Sequence, residues 1–258
     1  MKKFKILIIL AFIFSYYNLN AEGTAGTNAQ LETLYIVDMP TAGVNPVKTI
    51  GFNSLFMSEG GLLLYLNYSP FKRFNCGISY SGNHVIGSEK MLFQKYPGFQ
   101  ISYRIVDEKL KFPALLIGVN TQGRGTYFAE SVRHTILSPG VYIASSKNFK
   151  WDAGYIALHA GINFSFDQNG PKKLPNFYFG AEQSIGTRFA INAEYNACID
   201  ESNTGFRYPN SIGTLNARLR CSLAERTTID IAFKDIFGSS TKEKAIQRYI
   251  GIDYVVFF

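Results

Sequence analysis

Apolar side chains return at every second position through most of residues 49–258, and this two-residue period limits the fold more than any other feature. A strand points successive side chains to opposite faces, so each such run has one apolar and one polar face. In the segment 98–106, Phe99, Ile101, Tyr103 and Ile105 oppose Gln100, Ser102 and Arg104. In 154–166, Ile156, Leu158, Ala160, Ile162, Phe164 and Phe166 oppose His159, Gly161, Asn163 and Ser165. In 188–199, Ile191, Ala193, Tyr195 and Ala197 oppose Asn192, Glu194 and Asn196. In 214–222, Leu215, Ala217, Leu219 and Cys221 oppose Asn216, Arg218 and Arg220. No stretch holds the i, i+3, i+4 spacing of an amphipathic helix. Twelve segments are expected as strands: 49–57, 61–69, 74–81, 98–106, 113–122, 140–149, 154–166, 176–183, 188–199, 214–222, 227–235 and 247–258.

The connections between them sort by length. Links at 69–74, 107–112, 147–152, 184–188 and 223–227 are short. Those at 82–97, 123–139, 167–175, 200–213 and 236–245 are long, and only 58–60 on that side is tight. A soluble sandwich has no reason to alternate loop lengths by parity. A membrane-spanning barrel does, with short turns at one end and longer loops at the other. Lipid offers no hydrogen bonds, so a sheet within it must close and leave no edge. The composition agrees: 47% of residues are hydrophobic, with 16 tyrosines and 22 phenylalanines. The expected fold is therefore all-β, a transmembrane antiparallel β-barrel of about twelve strands, with short periplasmic turns and longer extracellular loops. Glycines within the strands suit a crowded, curved wall.

The first 21 residues, MKKFKILIILAFIFSYYNLNA, have the form of a secretory signal peptide. Lys2, Lys3 and Lys5 precede an apolar stretch too short to span a bilayer, and cleavage is expected after Ala21 on the Sec route. Residues 22–46 are less patterned and are expected to form an N-terminal lead-in, periplasmic or within the sheet, before a barrel at 47–258. Without the leader lysines the net charge falls from +7 to +4, too mild to suggest a nucleic-acid partner. Cys76, Cys198 and Cys221 are odd in number and lack metal-ligand spacing, so they are expected to be small buried or lipid-side residues.

The polar faces carry a set of charges that would line the lumen: Arg104, Glu182, Glu194, Arg218, Arg220, Asp230, Lys234 and Asp253. Interleaved signs suit an ion-pair network that fills the interior, since burying either sign alone is costly. They also suit a narrow aqueous path that orients a polar solute. Catalysis is not expected. His84 and His134 fall in loops, His159 faces the lumen near Asn163, and no GxSxG is present. Asp200 and Glu201 are expected to be a solvated loop pair, and no cofactor or metal site is expected. The loop 123–139, with Arg124, Tyr127, Phe128 and Arg133, is expected to be solvated, although its basic and aromatic residues also suit an inward constriction or an outward glycan site.

The chain ends GIDYVVFF. Gly251, Ile252, Tyr254, Val256 and Phe258 resemble the C-terminal signal of bacterial outer-membrane proteins, which end on an aromatic residue preceded by apolar residues at alternate positions. The resemblance implies an outer-membrane location and recognition by the barrel-assembly machinery. A second stretch, FPALLIGVNTQGRG at 112–125 followed by SPGVYIASSKNF at 138–149, is similar to a segment of the YjbH-like outer-membrane proteins. That likeness implies a role in exopolysaccharide production or export. The expected partners are outer-membrane lipid, lipopolysaccharide, the assembly machinery, and a polar solute or glycan. The expected function is a non-enzymatic barrel, either a narrow channel or a structural one. The alternative is a secreted all-β module that binds carbohydrate.

Overall fold

Twelve strands run antiparallel, each pairing with its neighbours in sequence. They are β1 (Thr49–Met57), β2 (Gly61–Ser69), β3 (Phe74–Asn83), β4 (Gly98–Val106), β5 (Ala114–Asn120) and β6 (Gly140–Trp151). The second half comprises β7 (Gly154–Phe164), β8 (Asn176–Ile185), β9 (Phe189–Asn196), β10 (Thr214–Ala224), β11 (Thr227–Lys234) and β12 (Gln247–Phe257). Their ends differ from the sequence expectation by three residues at most. The computed structural model describes residues 32–151, 154–168, 173–186, 188–201, 213–224, 226–239 and 246–258. The leader at 1–21 lies outside the described residues.

β1 pairs with β2 on one side and with β12 on the other, Thr49 opposite Phe257 and Phe56 opposite Ile250. The ladder therefore closes and leaves no barrel strand with a free edge, which a sandwich would retain. The alternation falls as the sequence implies. Phe99, Ile101, Tyr103 and Ile105 of β4 point outward at 42–55% exposure, while Gln100, Ser102 and Arg104 are buried inside. An outer surface of Phe, Ile, Leu and Tyr, with hydrogen bonds satisfied around the ring, matches the hydrocarbon of a bilayer. Cys76 and Cys221 are partly buried and Cys198 is buried, and none of the three is in a disulfide.

Two inner glycines show how the wall accommodates its contents. Gly118 of β5 stands opposite Tyr142 of β6, and Gly161 of β7 stands opposite Tyr178 of β8. A Cβ on Gly118 would meet the Tyr142 ring at 2.5 Å. Each tyrosine thus lies over a neighbouring backbone that has no side chain, which lets a large ring sit flat on a curved wall.

Residues 32–46 are neither periplasmic nor part of the sheet. They form a hairpin-like loop inside the barrel and join no strand ladder. Thr41 N–H donates to Leu34 O at 3.0 Å, and Ile36 N–H donates to Met39 O at 2.9 Å, so the turn lies at residues 36–39. Each of the three buried apolar clusters draws on this segment. Val37 packs with Leu55, Met57, Leu63, Tyr65, Ala232 and Tyr249. Ala42 and Val44 pack with Ala114, Leu116, Tyr142 and Ala144. Ile36 and Met39 pack with Tyr178 and Ile136. The wall contributes most of each cluster, and the segment covers it from inside.

Overpacking the Tyr142 niche is expected to disturb this arrangement. Gly118→Val should lower the urea midpoint of the refolded barrel, by about 1–3 kcal/mol in unfolding free energy. An unchanged midpoint would show that the Tyr142 ring does not need the bare backbone beneath it.

Candidate functional site

The lumen charges come together as the alternation implies, but most of them meet residues 32–46 rather than one another. β8 and β9 provide the acidic side. Glu194 of β9 is fully buried, and its Oε2 accepts the backbone N–H groups of Val37, Asp38 and Met39, each at 2.9 Å. Its Oε1 accepts Asn216 Nδ2 of β10 at 2.9 Å. Three successive amides on one oxygen form a concave anion receptor of the kind made by turns. Glu182 of β8 accepts the Thr33 hydroxyl at 2.7 Å and Asn192 Nδ2 at 2.6 Å, with Arg220 at 3.7 Å.

β10 and β11 provide the basic side. Arg218 donates to Tyr35 O, and Arg220 donates to the Thr33 hydroxyl. Lys234 of β11 pairs with Asp38 at the tip of the turn, and its ammonium also lies 3.9 Å from the Tyr249 ring centroid. Arg124, just beyond β5, is 3.4 Å from Asp38 Oδ1 and donates to Val37 O at 2.5 Å. Its guanidinium stacks over Tyr35 at 4.2 Å. On β4, Arg104 pairs with Glu32 and donates to Ala42 O at 2.8 Å. Asp253 of β12 accepts Asn53 Nδ2, and Asp230 of β11 faces Gly251 across the ladder. Ile252, Tyr254 and Phe258 point outward, with Phe258 72% exposed. Val256 is partly buried, and Gly251 faces inward.

The loop at 123–139 corrects the expectation of a solvated segment. Arg124–Phe128 and Arg133–Ile136 pair as a hairpin, with Arg124, Tyr127, Arg133 and His134 buried. Asp200 and Glu201 are likewise buried rather than solvated. Arg133 Nη2 reaches Glu201 Oε1 at 2.5 Å, so the hairpin and the 199–201 turn close together over the long-loop end. A buried guanidinium needs a carboxylate, and each element supplies what the other lacks.

Two serine–histidine contacts are present that the sequence did not suggest. Ser81 Oγ lies 2.7 Å from His134 Nε2, and Ser146 Oγ lies 2.8 Å from His159 Nδ1. His159 is thus held by Ser146 rather than by Asn163. Neither contact builds a triad. Ser81 donates its proton to Gln94 Oε1 at 2.8 Å, which leaves His134 as the donor in their contact. Ser146 Oγ accepts the Ala42 amide at 2.9 Å. His84 makes a surface contact with Glu89 at 3.3 Å. Among the described residues no group of three or more His, Cys, Asp or Glu side chains has the geometry to hold a metal ion.

Between residues 32–37 and the wall formed by β1, β2 and β10–β12 lies a cavity of about 100 Å³. It is lined by Arg124, Arg218, Arg220, Arg226 and Lys234, against Glu32, Asp230 and Asp253. The Nε groups of Arg218 and Arg220 are buried without a protein acceptor. Arg226 stacks on Phe257 at 5.6 Å. The pattern of residues 215–221 pointed to Arg218 and Arg220. Arg124 was singled out only as one of the basic and aromatic residues of a loop that could fold inward; the roles of Glu32, Tyr35, Asp38 and Arg226 were not legible, and the hint for the first three was the apolar run LYIVDMP at 34–40 placed before the first strand.

The closed long-loop end should respond to pH in two opposing ways. Burial, and then the Glu201 charge, push Asp200 up to about 7, whereas burial and the Arg133 charge push His134 down to about 4. Folded Asp200 binds more protons than unfolded between about 4 and 7, so its contribution to closure is lost as pH rises. Folded His134 binds fewer between about 4 and 6.5, so its contribution grows with pH and offsets the first. Asp200→Asn should therefore unmask the histidine: the opening constant, read from exchange of the Glu201 amide, should fall by up to about tenfold per pH unit from pH 4 to 6.5. A flat profile in that variant would remove His134 from the linkage.

No family model matches the chain, and no curated protein is similar to it in sequence. Solved barrels resemble its fold. The KdgM porin in complex with disordered oligogalacturonate superposes with a TM-score of 0.51 at 10% identity, covering 81% of this chain and 99% of that one. The outer membrane protein Omp33 of Acinetobacter baumannii gives 0.44 at 9% identity, covering 81% and 97%. The NanC porin gives 0.42 at 12% identity, covering 81% and 99%. The likeness to the KdgM porin establishes the architecture: this chain has the fold of a twelve-stranded porin-type outer-membrane barrel.

Proposed function

We propose that this chain is a non-enzymatic outer-membrane barrel that acts as a narrow channel for polar, anionic solutes. The observation that carries the reading is the basic cavity beside residues 32–37, where four arginines and a lysine face three carboxylates. A narrow polar passage with an excess of one sign selects solutes of the other sign. Guanidinium groups with unused donors suit a carboxylate or phosphate in particular. The KdgM porin is solved with oligogalacturonate, a carboxylated sugar chain, and the arginines here suit that chemistry. A link to surface-polysaccharide export rests on the YjbH-like stretch alone.

The same proposal includes the route to the membrane. Residues 1–21 act as a Sec signal cleaved after Ala21, and the set Gly251, Ile252, Tyr254, Val256 and Phe258 is read by the barrel-assembly machinery. Lipopolysaccharide surrounds the outward aromatic residues at the long-loop end, which faces the exterior. The short turns then face the periplasm.

In planar bilayers the purified barrel should give discrete anion-preferring steps. Arg218→Ala with Arg220→Ala should lower the anion preference about twofold or more. Cation preference in the parent, or silence that persists after Asp38→Ala, would overturn the channel reading. Deleting Phe258 should reduce the amount of heat-modifiable barrel in outer-membrane fractions, and normal levels would remove that residue from assembly.

A further inference from the structure

We propose that residues 32–46 are a withdrawable plug, fastened at its tip by Asp38 and Glu194, that opens and closes the lumen from the short-turn end. The effect on transport rests on the channel reading above; the withdrawal itself does not.

Three observations separate a plug from permanent filling. The first is topological. Glu32 pairs with Arg104 near the end of β4, and Asn45 N–H donates to Asn75 at the start of β3, at 3.1 Å. Both positions lie at the short-turn end, where β1 begins opposite the end of β12. The tip meets Glu194, Asn216-bound and high on β9, and Lys234 at the last residue of β11. Both legs of the hairpin therefore leave by one end. A segment that enters and leaves on the same side withdraws without threading; one that crosses the barrel does not.

The second is the kind of bond. The backbone hydrogen bonds at 34–41 run within the segment itself, and it joins no ladder of the wall. Its contacts with the wall are side-chain bonds, ion pairs and small apolar contacts, which break without disturbing the twelve-stranded ring. The third is what stays behind. Glu194 keeps Asn216, Glu182 keeps Asn192 and Arg220, Lys234 keeps the Tyr249 ring, and Arg104 keeps Asp107 at 3.9 Å. These four wall charges retain wall partners, and water entering the vacated space hydrates the others, including Arg218, which loses Tyr35 O. Withdrawal thus strands no unpaired charge in a dry interior.

The tip is the fastening point because the strongest bonds converge there. Asp38 is shared by Lys234 and Arg124, and its own amide is the middle one of the three on Glu194. Asp38→Ala removes the carboxylate that Lys234 and Arg124 hold, so the tip loses both ion pairs and is released while the ring stays closed. Buried Ala42, whose amide donates to Ser146 Oγ, reports position along the leg.

The test uses the full chain in vesicles with Cys76, Cys198 and Cys221 replaced by alanine. A cysteine at Ala42 should react with a membrane-impermeant maleimide about tenfold faster in Asp38→Ala than in the parent, reading the shift of a two-state equilibrium. In a second variant, Ala42→Cys with Ser146→Cys, oxidation should join leg to wall, suppress conductance steps, and release them on reduction. Equal labelling rates with and without Asp38, in a barrel that remains heat-modifiable, would overturn the plug. So would steps unchanged by a tether confirmed on a non-reducing gel. Faster labelling with complete electrical silence would uphold the plug and overturn only the channel.

Discussion

A carboxylate sealed inside a barrel must find donors, and much of this structure follows from how Glu194 finds them. The side chain is fully buried on β9, and one neighbour on the wall, Asn216, cannot satisfy both oxygens. A second wall side chain could have served, as Asn192 and Arg220 serve Glu182. Instead three consecutive amides of residues 37–39 converge on one oxygen. Only a tight turn presents amides in that way, and only a segment folded back on itself places a turn at that depth. The position of the turn then sets the rest. Asp38 falls beside Lys234 and Arg124, and Ile36, Val37 and Met39 fall into the two apolar clusters at the same level.

Barrel size explains why filling from the chain itself is needed at all. Eight strands enclose a space that side chains can fill, and sixteen enclose an aqueous channel. Twelve fall between. Here the wall brings large residues inward where it can, with Tyr142 over Gly118 and Tyr178 over Gly161. That still leaves room for a hairpin of two backbone legs. Ala42 and Val44 fill the side next to β5 and β6, Ile36 and Met39 pack on Tyr178 of β8, and Val37 packs against β1, β2, β11 and β12, beside which the cavity with its arginines remains.

The wall was legible in the sequence because strand alternation is a local property with a large energetic reason: one face meets lipid and the other does not. Residues 98–106 and 214–222 fix which side Arg104, Arg218 and Arg220 occupy without any knowledge of partners. The burial of Asp200 and Glu201 was not legible, because it depends on Arg133, nearly seventy residues away, folding over them. The hairpin at 124–136 was hidden for a similar reason: its strands are short and interrupted by a register shift between Arg124 and Tyr127, so no alternation develops.

The plug was hidden for a deeper reason, which lies in what the wall recognises. Glu194 takes amides, Arg218 takes Tyr35 O, Arg124 takes Val37 O, and Arg104 takes Ala42 O. Backbone groups carry these contacts, and every residue except proline has them. On the acidic side Glu194 of β9 meets N–H groups, and on the basic side Arg104, Arg124 and Arg218 meet carbonyls. The peptide dipoles of the turn thus lie across the lumen, from carboxylate to guanidinium. A turn entering the other way round would set its carbonyls against Glu194 and its amides against Arg218, repelled on both sides. The wall charges therefore specify the direction and depth of the segment through its backbone, while Ile36, Val37, Met39 and Ala42 fill the apolar clusters beside it. Asp38 is the exception, the one charged side chain in the turn, and it sits where the field of Lys234 and Arg124 would otherwise be uncompensated. A sequence pattern records side chains, so an element chosen by its backbone leaves almost no pattern to read.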